Sequence, residues 1–188
     1  MSDEIKKETE DKNIDKLLKT RCVLISGEIN KDLADKVIKD LLILDNESND
    51  NIKIFLNSPG GDVDSGFAIF DMIRFIKSKV LIIGMGLVAS ATALILLSVP
   101  NDRRVGLPNS SYLIHQPLSE MKGNATEIEI HVRQVEKLKK KINEVISSQT
   151  GKNLSQVEKD TDRDFWLDAE EAVRYGLISK VINSVSQL

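Results

Sequence analysis

The chain has 188 residues, a net charge of −3 and one cysteine, enough for one domain with its own core and too few thiols for an internal disulfide. Its pI is near 5.5 and no basic block stands outside one long helix, so nucleic-acid binding has little electrostatic support. Aromatic residues make up only 4%, which leaves Ile, Leu and Val to build the core.

Residues 1–14 mix charges, contain almost no apolar side chains, and read as an arm that is disordered or ordered by a partner. They lack the apolar stretch of a secretory signal, and a cytoplasmic location is expected. A single domain is expected over residues 15–188. A strand is predicted near Cys22–Ser26. "NKDLADKVIKDLLIL" follows as a helix capped by Asn30, with Leu33, Val37, Ile38, Leu41 and Leu42 on one face. After the polar "DNESNDN" come a short strand, "IKIFL", a loop, "NSPGGDVDSG", and a helix, "FAIFDMIRFI".

Val80 to Val99 is an uncharged run of 20 residues, long enough to cross a bilayer. Three features favour a buried core instead. "VLIIG" is β-branched and reads as a strand ending in a turn at "GMG". "SATALILLSV" reads as a buried helix after that turn. Both flanks are basic, so no membrane orientation is selected. Strands alternating with helices then predict an α/β domain with a mainly parallel sheet.

"SSYLI" is a further strand, leading into "HQP". A helix of roughly 36 Å is predicted from about Thr126 to Gln149, opened by a Thr126–Glu129 capping box. Ile128, Val132, Val135, Leu138, Ile142 and Val145 form its apolar seam, which calls for self-association or for a helix lying flat on its own sheet. Two short helices with Ser155–Glu158 and Asp168–Glu171 starts close the chain.

Candidate chemistry is sparse. His131 lies among charged residues and reads as solvated. His115 ends a buried strand, where α/β folds put functional groups, although a structural role fits it too. Ser90 sits at a strand–turn–helix junction and reads either as a nucleophile or as a helix cap. "SPGG" is a tight turn or a loop that aims an amide at a substrate. It is not a phosphate-binding loop, since no Gly-Lys-Ser/Thr follows, and no ligand spacing for a metal is present.

"NSPGG", "GMGLVAS", "LPNSSYLIHQPL", "GNATEIEIH" and "TDRDFWLDAEEAVRYGLI", in this order, resemble the proteolytic subunit of the Clp protease family over roughly residues 17–183. The resemblance implies a crotonase-like α/β fold, a ββα superhelix with a long protruding handle helix at about 125–150. It also implies a serine endopeptidase acting on peptides and unfolded proteins inside a tetradecamer of two stacked heptameric rings. Ser90 falls on the nucleophile, His115 on the general base and Asp164 on the third triad member. The backbone N–H groups of Gly61 and Ala91 fall on the oxyanion positions, and Asp162 and Arg163 on the ring–ring contact. No cofactor is implied, because ATP is used by a partner AAA+ unfoldase; neither nucleic acid nor membrane is expected as a partner.

The chain departs from the family pattern in several places. Ala91 and Thr92 follow Ser90 where Met and Gly are usual, and Thr92 is expected to crowd the first helical turn or the substrate. Val99–Pro100 replaces a small glycine-containing loop, and a charged arm replaces an apolar one. At the expected unfoldase-docking surface Lys53 and Val105 replace aromatics, while Phe55 and Phe75 keep the pattern. These departures define a second reading, a weakly active or inactive paralogue that assembles with a second subunit of the same type. A third, a crotonase-type enzyme acting on acyl-CoA, shares the Gly-Gly loop but not the "HQP" and "RD" motifs.

Overall fold

The structure, a computed structural model, describes residues 16–188; the arm expected over residues 1–14 lies outside the described residues. Strand β1 (Cys22–Ser26) forms where the sequence predicts it. Helix α1 (Lys31–Glu47) is opened by Asn30, whose side-chain oxygen accepts the Leu33 N–H at 2.9 Å. That pairs one of the amides a helix start leaves free. Its buried line is Ala34, Val37, Leu41 and Leu44, whereas Leu42 is 45% exposed. Position 42 lies about 100° around the helix from Leu41, so the two cannot share the core face.

The next elements are β2 (Ile52–Ser58), α2 (Val63–Phe75), β3 (Val80–Ala89) and α3 (Ala91–Leu96). Then come β4 (Arg104–Gly106), β5 (Ser111–Ile114), α4 (Ala125–Thr150), α5 (Leu154–Asp160), β6 (Phe165–Asp168), α6 (Ala169–Tyr175) and β7 (Lys180–Val181). Strands β1-β2-β3-β4-β7 lie in that order and are parallel; β5 pairs parallel with β3, and β6 antiparallel with β5. The short strands β4, β6 and β7 carry too few residues for their periodicity to be read in advance.

The predicted turn at "GMG" does not form. β3 runs through it to Ala89, and the chain turns at Ser90 instead. Between Leu56↔Gly84 and Ser58↔Val88, β2 advances two residues while β3 advances four. Gly86 takes up the excess with φ +57°, and the Asn57 carboxamide fills the irregularity by accepting the Leu87 N–H at 3.0 Å. A Cβ on Gly86 would lie 2.6 Å from Asn57 Oδ1. Beyond this point β3 changes neighbour, pairing through Ile82–Gly84 with β4 and through Leu87–Ala89 with β5.

The uncharged run is therefore a central strand plus a core helix. Every residue of α3 is buried, and no helix among the described residues is long and apolar enough to cross a membrane. Thr92 faces the core, fully buried, with its hydroxyl unpartnered. It does not line the cavity next to Ser90. Arg104 is also fully buried. Its Nη2 donates to the carbonyls of Gln149 at 2.8 Å and Gly176 at 3.3 Å, at the C-terminal ends of α4 and α6, where a cation is favourable.

The long helix is present, but its start is shifted. The capping box joins Asn124 and Glu127 rather than Thr126 and Glu129; Asn124 holds the extended backbone a cap needs, and Thr126 is already helical. Asp168–Glu171 opens α6 as expected, whereas α5 is capped by Asn153 and not Ser155. The C-terminal half of α4 is packed on the core, through buried Ile142, Asn143 and Ile146 and partly buried Leu138 and Val145. Ile128 and Val132 from the predicted seam remain 41% and 48% exposed, so the helix does not lie flat on its own sheet.

Replacing Asn124 by Ala is expected to weaken the first turn of α4 by about 0.5–2 kcal/mol. Amide hydrogen exchange over residues 125–129 would then quicken while β3 stays protected. Thr92→Val, which swaps an unsatisfied hydroxyl for a methyl group of the same shape, should raise the unfolding free energy by about 1 kcal/mol in urea titration. A decrease would mean that the hydroxyl has a partner.

Candidate active site

Ser90 has φ +57° and ψ −124°, a conformation a side-chain-bearing residue adopts only at a cost of about 1–3 kcal/mol. Its surroundings hold it there. Ala89 is paired with Leu113, the Ser90 N–H donates to the Leu113 carbonyl at 2.9 Å, and the Ser90 carbonyl accepts the Ala93 N–H at 2.9 Å. The side chain makes no cap hydrogen bond, which removes the helix-cap reading.

His115 and Asp164 meet through strand register. β5 and β6 pair Leu113 with Trp166 and Ile114 with Phe165, so the next opposed positions are 115 and 164. There His115 Nδ1 lies 3.2 Å from Asp164 Oδ1. The imidazole is mostly buried and the carboxylate 63% exposed. Ser90 and His115 line one small cavity together with Leu94, Ile114, Ile142 and Ile146. They are not hydrogen-bonded to one another; the contact is complete on the His–Asp side and open on the Ser–His side.

The Gly-Gly loop closes the other side of Ser90. Ile29 donates its N–H to the Gly60 carbonyl at 2.7 Å and accepts the Asp62 N–H at 2.8 Å. In such a parallel bridge the middle residue, Gly61, turns its own N–H away from Ile29. Neither that N–H nor the Ala91 N–H pairs with another backbone group among the described residues. The two glycines are sterically required. A Cβ on Gly60 would lie 2.7 Å from the Ala89 oxygen and from Ser90 Cβ, and one on Gly61, at φ +142°, would run into the Ile29 carbonyl. Asp62 caps α2 by accepting the Ser65 N–H at 2.8 Å, and hydrogen bonding from Ser65 holds its carboxyl below the usual range.

Asp162 and Arg163 are exposed and do not pair with each other within the protomer. The partner of Asp162 is Lys139 on α4, at 3.7 Å. The loop that carries Asp164 is anchored by residues the sequence did not single out. Gln116 donates its N–H to the Thr161 carbonyl and its side-chain amide to the Asp162 carbonyl, both at 2.6 Å. The buried Thr161 hydroxyl donates to Asn143 Oδ1 at 2.8 Å. One asparagine at position 143 beside the aliphatic stripe of α4 was the available signal. His131, expected to be solvated, is half-buried, with Nε2 2.6 Å from the Ser119 hydroxyl.

At the expected docking surface Val105 is 2% exposed, packed with Ile83 and Ile182 under partly buried Phe55. It therefore closes a small apolar cluster instead of presenting a surface. Lys53 is half-buried beside that cluster, and Phe75 is 80% exposed.

Residues 5–185 match the Clp protease family. ATP-dependent Clp protease proteolytic subunit 2 of Treponema denticola is 55% identical over 96% of this chain and 92% of its own length. Proteolytic subunit 3 of Rhizobium johnstonii is 47% identical over 92% and 89%. A solved ClpP1 mutant from Listeria monocytogenes superposes with a TM-score of 0.86 at 46% identity, covering 92% of this chain and 96% of that one. The α/β fold with its long helix is thus the one implied by the resemblance, and the acyl-CoA reading falls away. The chain belongs to the Clp protease family, as a proteolytic subunit of its serine peptidases.

Proposed function

We propose that Ser90 is the nucleophile of an endopeptidase, His115 its general base and Asp164 the group that orients the imidazole. His115 takes the Ser90 proton as the hydroxyl attacks a peptide carbonyl, then returns it to the leaving amine; water hydrolyses the ester by the reverse exchange. The N–H groups of Gly61 and Ala91 receive the negative oxygen of the tetrahedral intermediate. The observation that carries this reading is the convergence of a strained serine, an imidazole and a carboxylate at three strand ends beside two unpaired amides. The aliphatic wall of Leu94, Ile114, Ile142 and Ile146 suits an apolar side chain on the acyl side of the cut bond.

The assembly belongs to the same proposal: heptameric rings stacked as a tetradecamer in the cytoplasm, joined partly through α4 and through Asp162 and Arg163, and fed with unfolded protein by an ATP-driven unfoldase. The uncovered N-terminal half of α4 supports it, since Ile128 and Val132 on one face and Ile130 on the other stand exposed, which is unfavourable in water. The open Ser90–His115 contact favours one variant, in which assembly with a second subunit of the same type closes the site.

Ser90→Ala is expected to lower turnover of a fluorogenic peptide by about 10⁴-fold or more, and Asp164→Asn by about 10⁴-fold, with ring assembly retained. A fluorophosphonate probe should label Ser90 in the assembled particle and not in Ser90→Ala. Labelling that needs an added second subunit selects the mixed-ring variant; no labelling in either case refutes the catalytic assignment. Gly61→Ala should cost at least about 10²–10³-fold in kcat.

A further inference from the structure

A second cavity, of about 560 Å³, lies at the far end of α3 from Ser90. Its rim carries Arg74, Lys77, Lys79 and Arg103, and no acidic residue is among the described residues that line it. Three of these cations are exposed and Arg103 is half-buried. Two carboxylates act nearby: Asp45 accepts the Ser78 N–H at 2.7 Å and also feels the charge of Lys77, so that rim cation is partly met within the protomer, and Asp102 acts on the buried Arg104. Arg104 itself stands behind the cavity wall, bonded to the Gln149 carbonyl, with Nε and Nη1 unpartnered. Its positive charge adds to that of the rim.

The rest of the lining is aliphatic and includes Ile73, Ile76, Val80, Val99 and Pro100. Three helices end here, α2 at Phe75, α3 at Leu96 and α4 at Thr150, each with its C-terminal carbonyl end. Helix C-termini repel anions, and the N–H cluster that cradles a phosphate is found at helix N-termini. A compact polyanion seated in the cavity would face those carbonyls. An extended peptide can instead divide its chemistry, placing aliphatic side chains on the floor and carboxylates against the four cations.

We infer that this groove docks a segment of a partner protein in which acidic and aliphatic residues alternate. The surface is separate from the proposed catalytic site, since its lining shares no residue with the cavity at Ser90.

Fluorescence polarisation on the full chain tests this, with a short fluorescein-labelled peptide of alternating glutamate and leucine as probe. The double variant Lys77→Glu/Lys79→Glu should bind it at least about tenfold more weakly. Lys31→Glu/Lys36→Glu, which changes net charge equally on α1, should bind it unchanged. A glutamate–serine peptide should bind at least about tenfold more weakly than the probe, and tripolyphosphate should not displace the probe. An equal loss in the α1 variant, equal binding of the glutamate–serine peptide, or displacement by tripolyphosphate overturns the inference, because each reduces the groove to a non-specific anion surface. Binding to the protomer that disappears in the assembled particle also overturns it and assigns the groove to a neighbouring copy. Hydrolysis of a small fluorogenic peptide, measured alongside, stays unchanged in all variants, so this docking reading can fail without touching the catalytic one.

Discussion

Strand β3 is bonded along one edge to β2 for nearly its whole length but cannot keep one neighbour on the other edge. Two extra residues at Met85–Gly86 rotate its second half away from β4 and onto β5. The rest of the site depends on that change of partner. It brings Ala89 opposite Leu113, so the chain must reverse at Ser90 with the Ser90 amide pinned to the Leu113 carbonyl. β5 meanwhile carries β6 on its free edge, and their antiparallel register delivers Asp164 opposite His115. Three side chains far apart in sequence are thus placed by backbone hydrogen bonds, which tolerate little slippage because a shift of one residue would turn buried side chains outward.

The strain at Ser90 is sustained by burial. α3 is only six residues long and wholly inside the core, and a helix so short is not stable by itself. Packing of Ala93, Leu94, Ile95 and Leu96 fixes its axis and so its first turn. Gly60 then approaches close enough to Ala89 and Ser90 that no side chain fits between them. The positive φ, the glycine pair and the unpaired amides of Gly61 and Ala91 are consequences of one close approach between two backbones.

The long helix couples the core to the outside. Its C-terminal half is embedded through Ile142 and Ile146, which also wall the cavity at Ser90. Asn143, between them, holds the Thr161 hydroxyl and with it the loop leading to Asp164. The same element that leaves Ile128, Ile130 and Val132 uncovered at its free end therefore touches both the cavity wall and the carboxylate loop.

Much of this was legible in the residues. The alternation of strands and helices, the Asn30 and Asp168 caps, the core placement of the uncharged run and the long amphipathic helix follow from patterns within a few turns of chain, where periodicity and capping are local physics. The motif resemblance named Ser90, His115, Asp164, Gly61 and Ala91 as candidates. Tertiary structure alone decided which neighbour each half of β3 takes, where the chain turns, that Val105 is buried and that the Thr92 hydroxyl faces the core. Each of these depends on partners distant in sequence and on aliphatic strands that are chemically alike, so the choice among registers is made by packing and hydrogen-bond closure.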